Sequence, residues 1–306
     1  MPSLAKSILF SVRDSIATIT LNRPEVLNAL DLEMCQALKA HLLKARQDPD
    51  IRAVILTGQG PAFCAGGDLR FALAANPHTP GDSFLALTEV LHDCIAQIRT
   101  MPKPVIAAIN GPAAGAGFAL ALACDLRTIA ADTYLKQANT SHGLSIPASG
   151  TFTLPRLVGL ARALEIAMLD EPILAERALA LGLVSQVAPP AQLLAETRQL
   201  AARVARMPVE TLGRVKQLLN ESFDSSLAEH LDRERWQVAA SANSSEGREG
   251  VKAFLEKRSP DFVNTPAAFG QTVNGSARPG AAAPSRSGRG WGADRRRSSL
   301  SYTLFG

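Results

Sequence analysis

Two short stretches of this 306-residue chain place glycines where a strand gives way to a helix. In "CAGGDL", Gly66 and Gly67 stand directly before Asp68, after a predicted strand. In "GPAAGAGFALALACD", residues 111–125, Gly115, Ala116 and Gly117 open an alanine-rich helix after another strand. Small residues let a ligand approach the backbone, and the first turn of a helix carries unpaired N–H groups at the positive end of its dipole. Two such loops facing each other aim two N–H donors at one oxygen, which is how an oxyanion is stabilised. Either loop alone fits close packing better than ligand contact, because Gly115-x-Gly117 is only half of a dinucleotide fingerprint.

These loops need elements to carry them. "ILFSV" and "IATITL" alternate as two strands around the polar turn Arg13-Asp14-Ser15. From Asp31 to Gln47 the apolar residues Leu32, Met34, Ala37, Leu38, Leu42 and Leu43 recur at helical spacing, and Asp48-Pro49-Asp50 stops the run. "RAVILTG" and "PVIAAI" are short continuous apolar runs, the pattern of strands buried on both faces. A helix is predicted from Phe84 to Arg99, and "CDLRTIAADTYL" reads as a strand pair. From about Leu160 the pattern is helical. The long loops follow strands, where α/β proteins place ligands.

Composition narrows the function. The chain is 46% hydrophobic and 20% charged, ordinary for a globular protein with a sizeable core. It has no apolar run of membrane-spanning length, and its first residues lack a secretory pattern, so a cytoplasmic protein without a membrane partner is expected. Cys35, Cys64, Cys94 and Cys124 show no metal-ligand or disulfide spacing and read as buried small hydrophobes; no metal site is expected. Six arginines and one aspartate put +5 on 265–306, so the formal charge of +4 leaves −1 for the rest. That balance argues against a nucleic-acid protein. The Gly-, Pro-, Ser- and Arg-rich tail reads as disordered.

Taken together and in this order, several segments resemble the crotonase (enoyl-CoA hydratase/isomerase) superfamily across residues 8–262. They are "LNRPEVLNALD", "FCAGGDL", "KPVIAAINGPAAGAGFALALACDLR", "GLSIPASGTFTLPRLVG", "EPILAERALALGLVSQV" and "EGVKAFLEKRSPDF". The resemblance implies an α/β fold: a spiral of ββα units over 1–200 with an acyl-CoA site, a helical trimerisation module over 201–264, then the 265–306 tail. It implies a homotrimer or hexamer acting on acyl-CoA thioesters, with coenzyme A as part of the substrate and no other cofactor.

Carried over by position, the resemblance gives the thioester oxygen to the backbone N–H groups of Gly67 and Ala116. Ala65, Asp68, Leu69 and Arg70 would line the adenine and pantetheine side. Lys257, with Arg258, would approach the CoA 3′-phosphate, although a solvated helix end explains both equally well. A hydratase of this family shares its water between two glutamates, and the matching positions hold Ala119 and Asn139. Some isomerases of the family carry an aspartate in the stretch where Pro147, Ala148 and Ser149 stand here. The substitutes are Asn139 as an orienting amide, His142, the hydroxyls of Ser145, Ser149 and Thr151, and the Glu89, His92 and Asp93 face. Asp68 reads first as a helix cap. The implied activity is enolate chemistry on a CoA thioester, closer to isomerisation than to hydration. A non-catalytic acyl-CoA binder and a thioester hydrolase are the alternatives.

Overall fold

Asp14 and Ser15 both adopt left-handed backbone (φ 53° and 60°), the geometry of a tight two-residue hairpin. They join strands β1 (Ile8–Arg13) and β2 (Ile16–Leu21) in antiparallel register, Arg13 opposite Ile16. Helix α1 (Leu32–Gln47) starts where the Asp31 carboxylate accepts the Met34 N–H at 2.8 Å. Strand β3 (Ala53–Gly58), helices α2 (Leu69–Ala75) and α3 (Pro80–Thr100), and strand β4 (Val105–Ile109) follow. Next come β5 (Ala113–Ala114), α4 (Ala116–Ala123), β6 (Leu126–Ala130) and β7 (Tyr134–Lys136). The chain continues through α5 (Gly150–Val158), α6 (Leu160–Leu169), β8 (Ile173–Leu174), α7 (Ala175–Ala180) and β9 (Gln186–Ala188). It closes with α8 (Leu193–Ala205), α9 (Val209–Glu221), α10 (Leu227–Asn243) and α11 (Ser245–Leu255). This computed structural model describes residues 6–75 and 78–265; the predicted disordered tail, from 266 on, lies outside the described residues.

One sheet has the order β1-β2-β3-β4-β6-β9, parallel except for the first hairpin; a smaller sheet has the order β5-β7-β8. Alternate residues of the central strands serve different layers, as a two-residue period requires. Val54, Leu56, Val105, Ala107 and Ile109 pack with Leu38 and Leu42 of α1, Leu91 of α3 and Phe118 of α4. Ala53, Ile55, Ile106 and Ala108 pack with Leu193, Ala201 and Ala205 of α8. All eight residues of α4 are buried, which explains why its sequence has no polar face.

Two expectations are corrected here. Helix α3 begins at Pro80 rather than Phe84, because proline at the first helical position needs no N–H partner. The predicted strand pair in 124–135 is two strands of different sheets: β6 pairs with β4 and β9, and β7 with β5 and β8.

The last helices are tied to the sheet through a buried ion pair. Arg52, just before β3, donates to the carbonyls of Ala205 (2.6 Å) and Met207 (2.9 Å) and lies 3.6 Å from the Glu246 carboxylate. Glu246, in the first turn of α11, is fully buried and accepts the Glu210 N–H at 3.0 Å. The outer surface of α9–α11 is apolar in places: Leu219, Trp236 and Phe254 are 65%, 65% and 81% exposed. The four cysteines are free and buried, and burial pushes the thiols of Cys64, Cys94 and Cys124 up to about 12. Among the described residues no helix is long and apolar enough to cross a membrane.

Candidate active site

The first glycine loop is moulded on the segment 23–31. Leu27 and Asn28 hold left-handed backbone in succession (φ 55° and 56°). Asn28, completely buried, donates to the carbonyls of Gln59 (2.9 Å) and Ala62 (2.8 Å) and accepts the Arg23 N–H at 2.9 Å. The Leu27 carbonyl receives the Ala65 N–H at 3.0 Å. The Leu30 N–H donates to Gly66 O at 2.7 Å, and the Asp68 N–H donates to Leu30 O at 2.8 Å. This bridge leaves the Gly67 N–H turned away from Leu30. Asp68 caps α2, accepting from the N–H groups of Arg70 (3.2 Å) and Phe71 (3.3 Å), and meets the Arg23 guanidinium at 3.2 Å. Arg23 also holds Asp31 at 2.8 Å, so one guanidinium joins the caps of α1 and α2.

The second loop lies directly against the first. Gly66 has φ +111°, and a Cβ on it would stand 3.1 Å from Ala114 O and 3.4 Å from Ala116 N. Gly117 approaches the other strand of the crossing: its Cβ would stand 2.3 Å from Cys64 O and 2.7 Å from Cys64 Cβ. Gly67 is different, since a Cβ there meets only Leu87 Cδ2, at an ordinary 3.7 Å. Ala116 is the first residue of α4, where a backbone N–H has no acceptor within the helix. Among the described residues, neither the Gly67 N–H nor the Ala116 N–H has a hydrogen-bond acceptor.

These contacts make a prediction. Gly117→Ala is expected to destabilise the protein by about 1–3 kcal/mol, the overpacking of a methyl group against backbone. That exceeds the helix propensity of at most ~1 kcal/mol that alanine gains over glycine. Gly67→Ala is expected to stay within about 0.5 kcal/mol of wild type. Urea unfolding of both variants checks the contrast, and equal losses would contradict the crossing geometry.

Asn139 reaches the same place from the far side of β7. Its Oδ1 lies 3.5 Å from where a Cβ would stand on Gly115, and the residue is 8% exposed. Its Nδ2 donates to Gln137 O at 3.1 Å, an orientation that follows from the hydrogen-bond network. Ala119, one turn into α4, is 1% exposed, and its Cβ stands 3.6 Å from the Cβ position of Gly150 at the start of α5. Of the residues predicted for the site, Gly67, Ala116, Ala119 and Asn139 are thus gathered around the two loops. Ala65, Leu69 and Arg70 are exposed along the first loop and the start of α2. Lys257 is not drawn into these contacts; it is exposed in the turn after α11. Arg258 is occupied by Glu249 (2.7 and 3.0 Å) and Glu256 (2.7 Å).

The titratable candidates separate clearly. Asp68 is a cap paired with Arg23, and Asp93 pairs with Lys39 at 2.6 Å. Glu89 is exposed. His142 Nδ1 lies 2.8 Å from Ala138 O. His92 Nε2 accepts the Ala148 N–H at 3.2 Å, which places its imidazole on the loop that leads to Gly150. Among the hydroxyls, Ser149 and Thr153 bond each other at 3.2 Å.

Sequence reasoning missed three supporting residues. Arg23 and Asn28 lie inside the quoted "LNRPEVLNALD", but only the left-handed backbone at 27–28 reveals their work. Asp170 caps α6 in left-handed backbone (φ 50°) and accepts the N–H groups of Ala138 (2.5 Å) and Ser141 (2.9 Å). Burial would raise its carboxyl, but the hydrogen bonds from Ser141 and Ala138 outweigh that and hold it below the usual carboxylate range. The one local signal was the helix end before Glu171-Pro172.

A mixed α/β sheet with two abutting glycine loops at its strand ends defines the class, and the comparisons give the family. The family model for enoyl-CoA hydratase/isomerase matches residues 11–265. The chain belongs to the enoyl-CoA hydratase/isomerase family of enzymes. It is 38% identical over 256 residues to the 1,2-epoxyphenylacetyl-CoA isomerase of Escherichia coli K12, covering 84% of this chain and 98% of that protein. Its fold is similar to the crystal structure of an enoyl-CoA hydratase from Polaromonas sp. JS666 (TM-score 0.79, 38% identity, 83% of this chain and 98% of the other). It is also similar to that of an enoyl-CoA hydratase from Bacillus anthracis (TM-score 0.78, 31% identity, 84% and 98%).

Proposed function

We propose that this protein binds an acyl-CoA thioester with its carbonyl oxygen between the N–H groups of Gly67 and Ala116. It moves a proton on the acyl chain through the thioester enolate, as an isomerase. The observation that carries this reading is the pair of acceptor-free N–H groups on two loops in contact. Removing a proton next to a thioester puts negative charge on that oxygen, and fixed donors lower the cost of doing so. Hydration by two glutamates is disfavoured because Ala119 has no group that transfers a proton and an Asn139 amide is a poor base. The relative in Escherichia coli is named an isomerase, of 1,2-epoxyphenylacetyl-CoA, which supports isomerisation as the reaction class. Ala65, Asp68, Leu69 and Arg70 offer backbone to the nucleotide and pantetheine side of CoA, and Lys257 meets its 3′-phosphate.

The same reading takes residues 1–200 as the ββα spiral and 201–264 as a helical module that builds a homotrimer or hexamer. The exposed Leu219, Trp236 and Phe254 support it, since apolar surface of this kind marks subunit contact. The setting is cytoplasmic, and coenzyme A, carried by the substrate, is the sole non-protein group.

The test is mass spectrometry of saturated, 2-enoyl, 3-enoyl and aryl-acetyl CoA thioesters incubated with the protein in D₂O. Deuterium on the α-carbon or a moved double bond is the expected result. Added water without exchange would favour hydration, and a freed acid would favour hydrolysis. Thioesters that return unchanged while raising the melting temperature would identify a binding protein instead.

A further inference from the structure

Asn139 is held by a cage of main-chain contacts with one charged centre. Asn139 and Thr140 donate their N–H groups to Gln137 Oε1 at 3.1 and 3.3 Å, and the Thr140 hydroxyl donates to Ala167 O at 2.7 Å. Ala138, an alanine in left-handed backbone (φ 54°), sits at the bend. Such backbone persists only where its surroundings impose it. The imposing group is Asp170: its two carboxylate oxygens take the N–H groups on either side of Asn139, from Ala138 and Ser141. Asp170 is 6% exposed and belongs to α6, a different element from the loop it grips.

We propose that Asp170 is a positioning residue for the reaction: its carboxylate, acting through Ala138 and Ser141, sets the Asn139 carboxamide against Gly115 at the entrance to α4. This rests on the reading that the 67/116 amide pair is the reaction site. Asn139 Oδ1, which has no donor among the described residues, then orients a substrate hydroxyl or water beside the thioester. Nothing in the chemistry requires Asp170 to touch substrate.

Asp170→Asn is the informative variant because asparagine tolerates left-handed backbone, so the helix end survives. An amide cannot accept both N–H groups, since one arm becomes a donor. A crystal structure of full-length Asp170→Asn is expected to show residues 138–141 moved and the Asn139 carboxamide withdrawn from Gly115. In the D₂O assay kcat is expected to fall by roughly 10- to 100-fold with KM little changed, the scale of a misplaced catalytic group. In an Asn139→Ala background the same substitution is expected to have no further effect on kcat, because the two residues act as one unit. Asp170→Gly, which relieves the backbone and lacks the carboxylate, is expected to behave as Asp170→Asn does. An Asn139 unmoved in the crystal structure would overturn the proposal, as would equal losses in both backgrounds. A wild-type protein inactive on every thioester would instead sink the functional reading, and the crystallographic result still decides the positioning claim.

Discussion

Ala116→Pro is expected to lower turnover of a CoA thioester by about 10²–10³-fold, corresponding to ~2.7–4 kcal/mol of lost transition-state stabilisation. Proline is at home in the first position of a helix, where its missing N–H breaks no helical hydrogen bond. Ala116 is that position in α4, and the preceding Gly115 (φ 53°, ψ −124°) is outside the right-handed helical region that proline disfavours in its neighbour. The variant therefore keeps the helix start but removes the donor and puts the ring Cδ where the bound oxygen would sit. Because the ring also excludes the thioester oxygen from its place, kcat is expected to fall and KM to rise together. Circular dichroism and a melting curve close to wild type would certify the fold. Unchanged kcat in a folded Ala116→Pro protein would remove Ala116 from the oxyanion pair.

Glu246→Ala carries the largest expected stability loss, about 3–5 kcal/mol, because it strands the buried Arg52 guanidinium. The alternative, that the pair contributes little, is weighed by replacing both partners. Arg52→Met with Glu246→Leu removes both charges and fills the space, and such exchanges are often neutral or stabilising. The single variant is thus expected to unfold at much lower urea than the double. The pH dependence has a definite sign. Burial raises the Glu246 carboxyl above its ordinary value, with the Glu210 N–H and Arg52 opposing. A raised acid contributes most below its unfolded pKa, and that contribution fades as pH rises through the folded value. Relative to the double variant, wild type is expected to gain stability as pH is lowered into that window. Equal urea midpoints for the single and double variants would show that the pair does not anchor α11.

The places where sequence reading succeeded share a physical cause. The hairpin at Asp14-Ser15, the buried strands 53–58 and 105–109, and the start of α4 are written in contiguous residues: a polar pair, an unbroken apolar run, a glycine before an alanine-rich helix. The two glycine loops were legible only together and in order, since each alone fits close packing. What stayed hidden depends on partners far along the chain. β6 and β7 look like a hairpin locally, yet β6 is claimed by β4 and β9, and β7 by β5 and β8. Asn28 works through Ala62, and Asp170 through Ala138, more than 30 residues away in each case. Which of the Glu89, His92 and Asp93 face is free was also beyond the sequence, since Lys39 settles Asp93 and Ala148 engages His92.

The two donors at Gly67 and Ala116 belong to the main chain, and the parts that hold them in place are the segment 23–31 and the close approach of Gly117 to Cys64. The side chains at 119, 139 and 148 make none of those contacts, although Ala119 and Ala148 are buried and Ala148 holds left-handed backbone (φ 55°). On the proposed reading the site therefore divides into a main-chain frame and a few small side chains set around it. On that reading, a library of small side chains at Ala119 and Asn139 is a search over chemistries on a constant main-chain frame. On the proposed reading, change at those positions can silence or redirect the reaction while leaving the two main-chain donors in place.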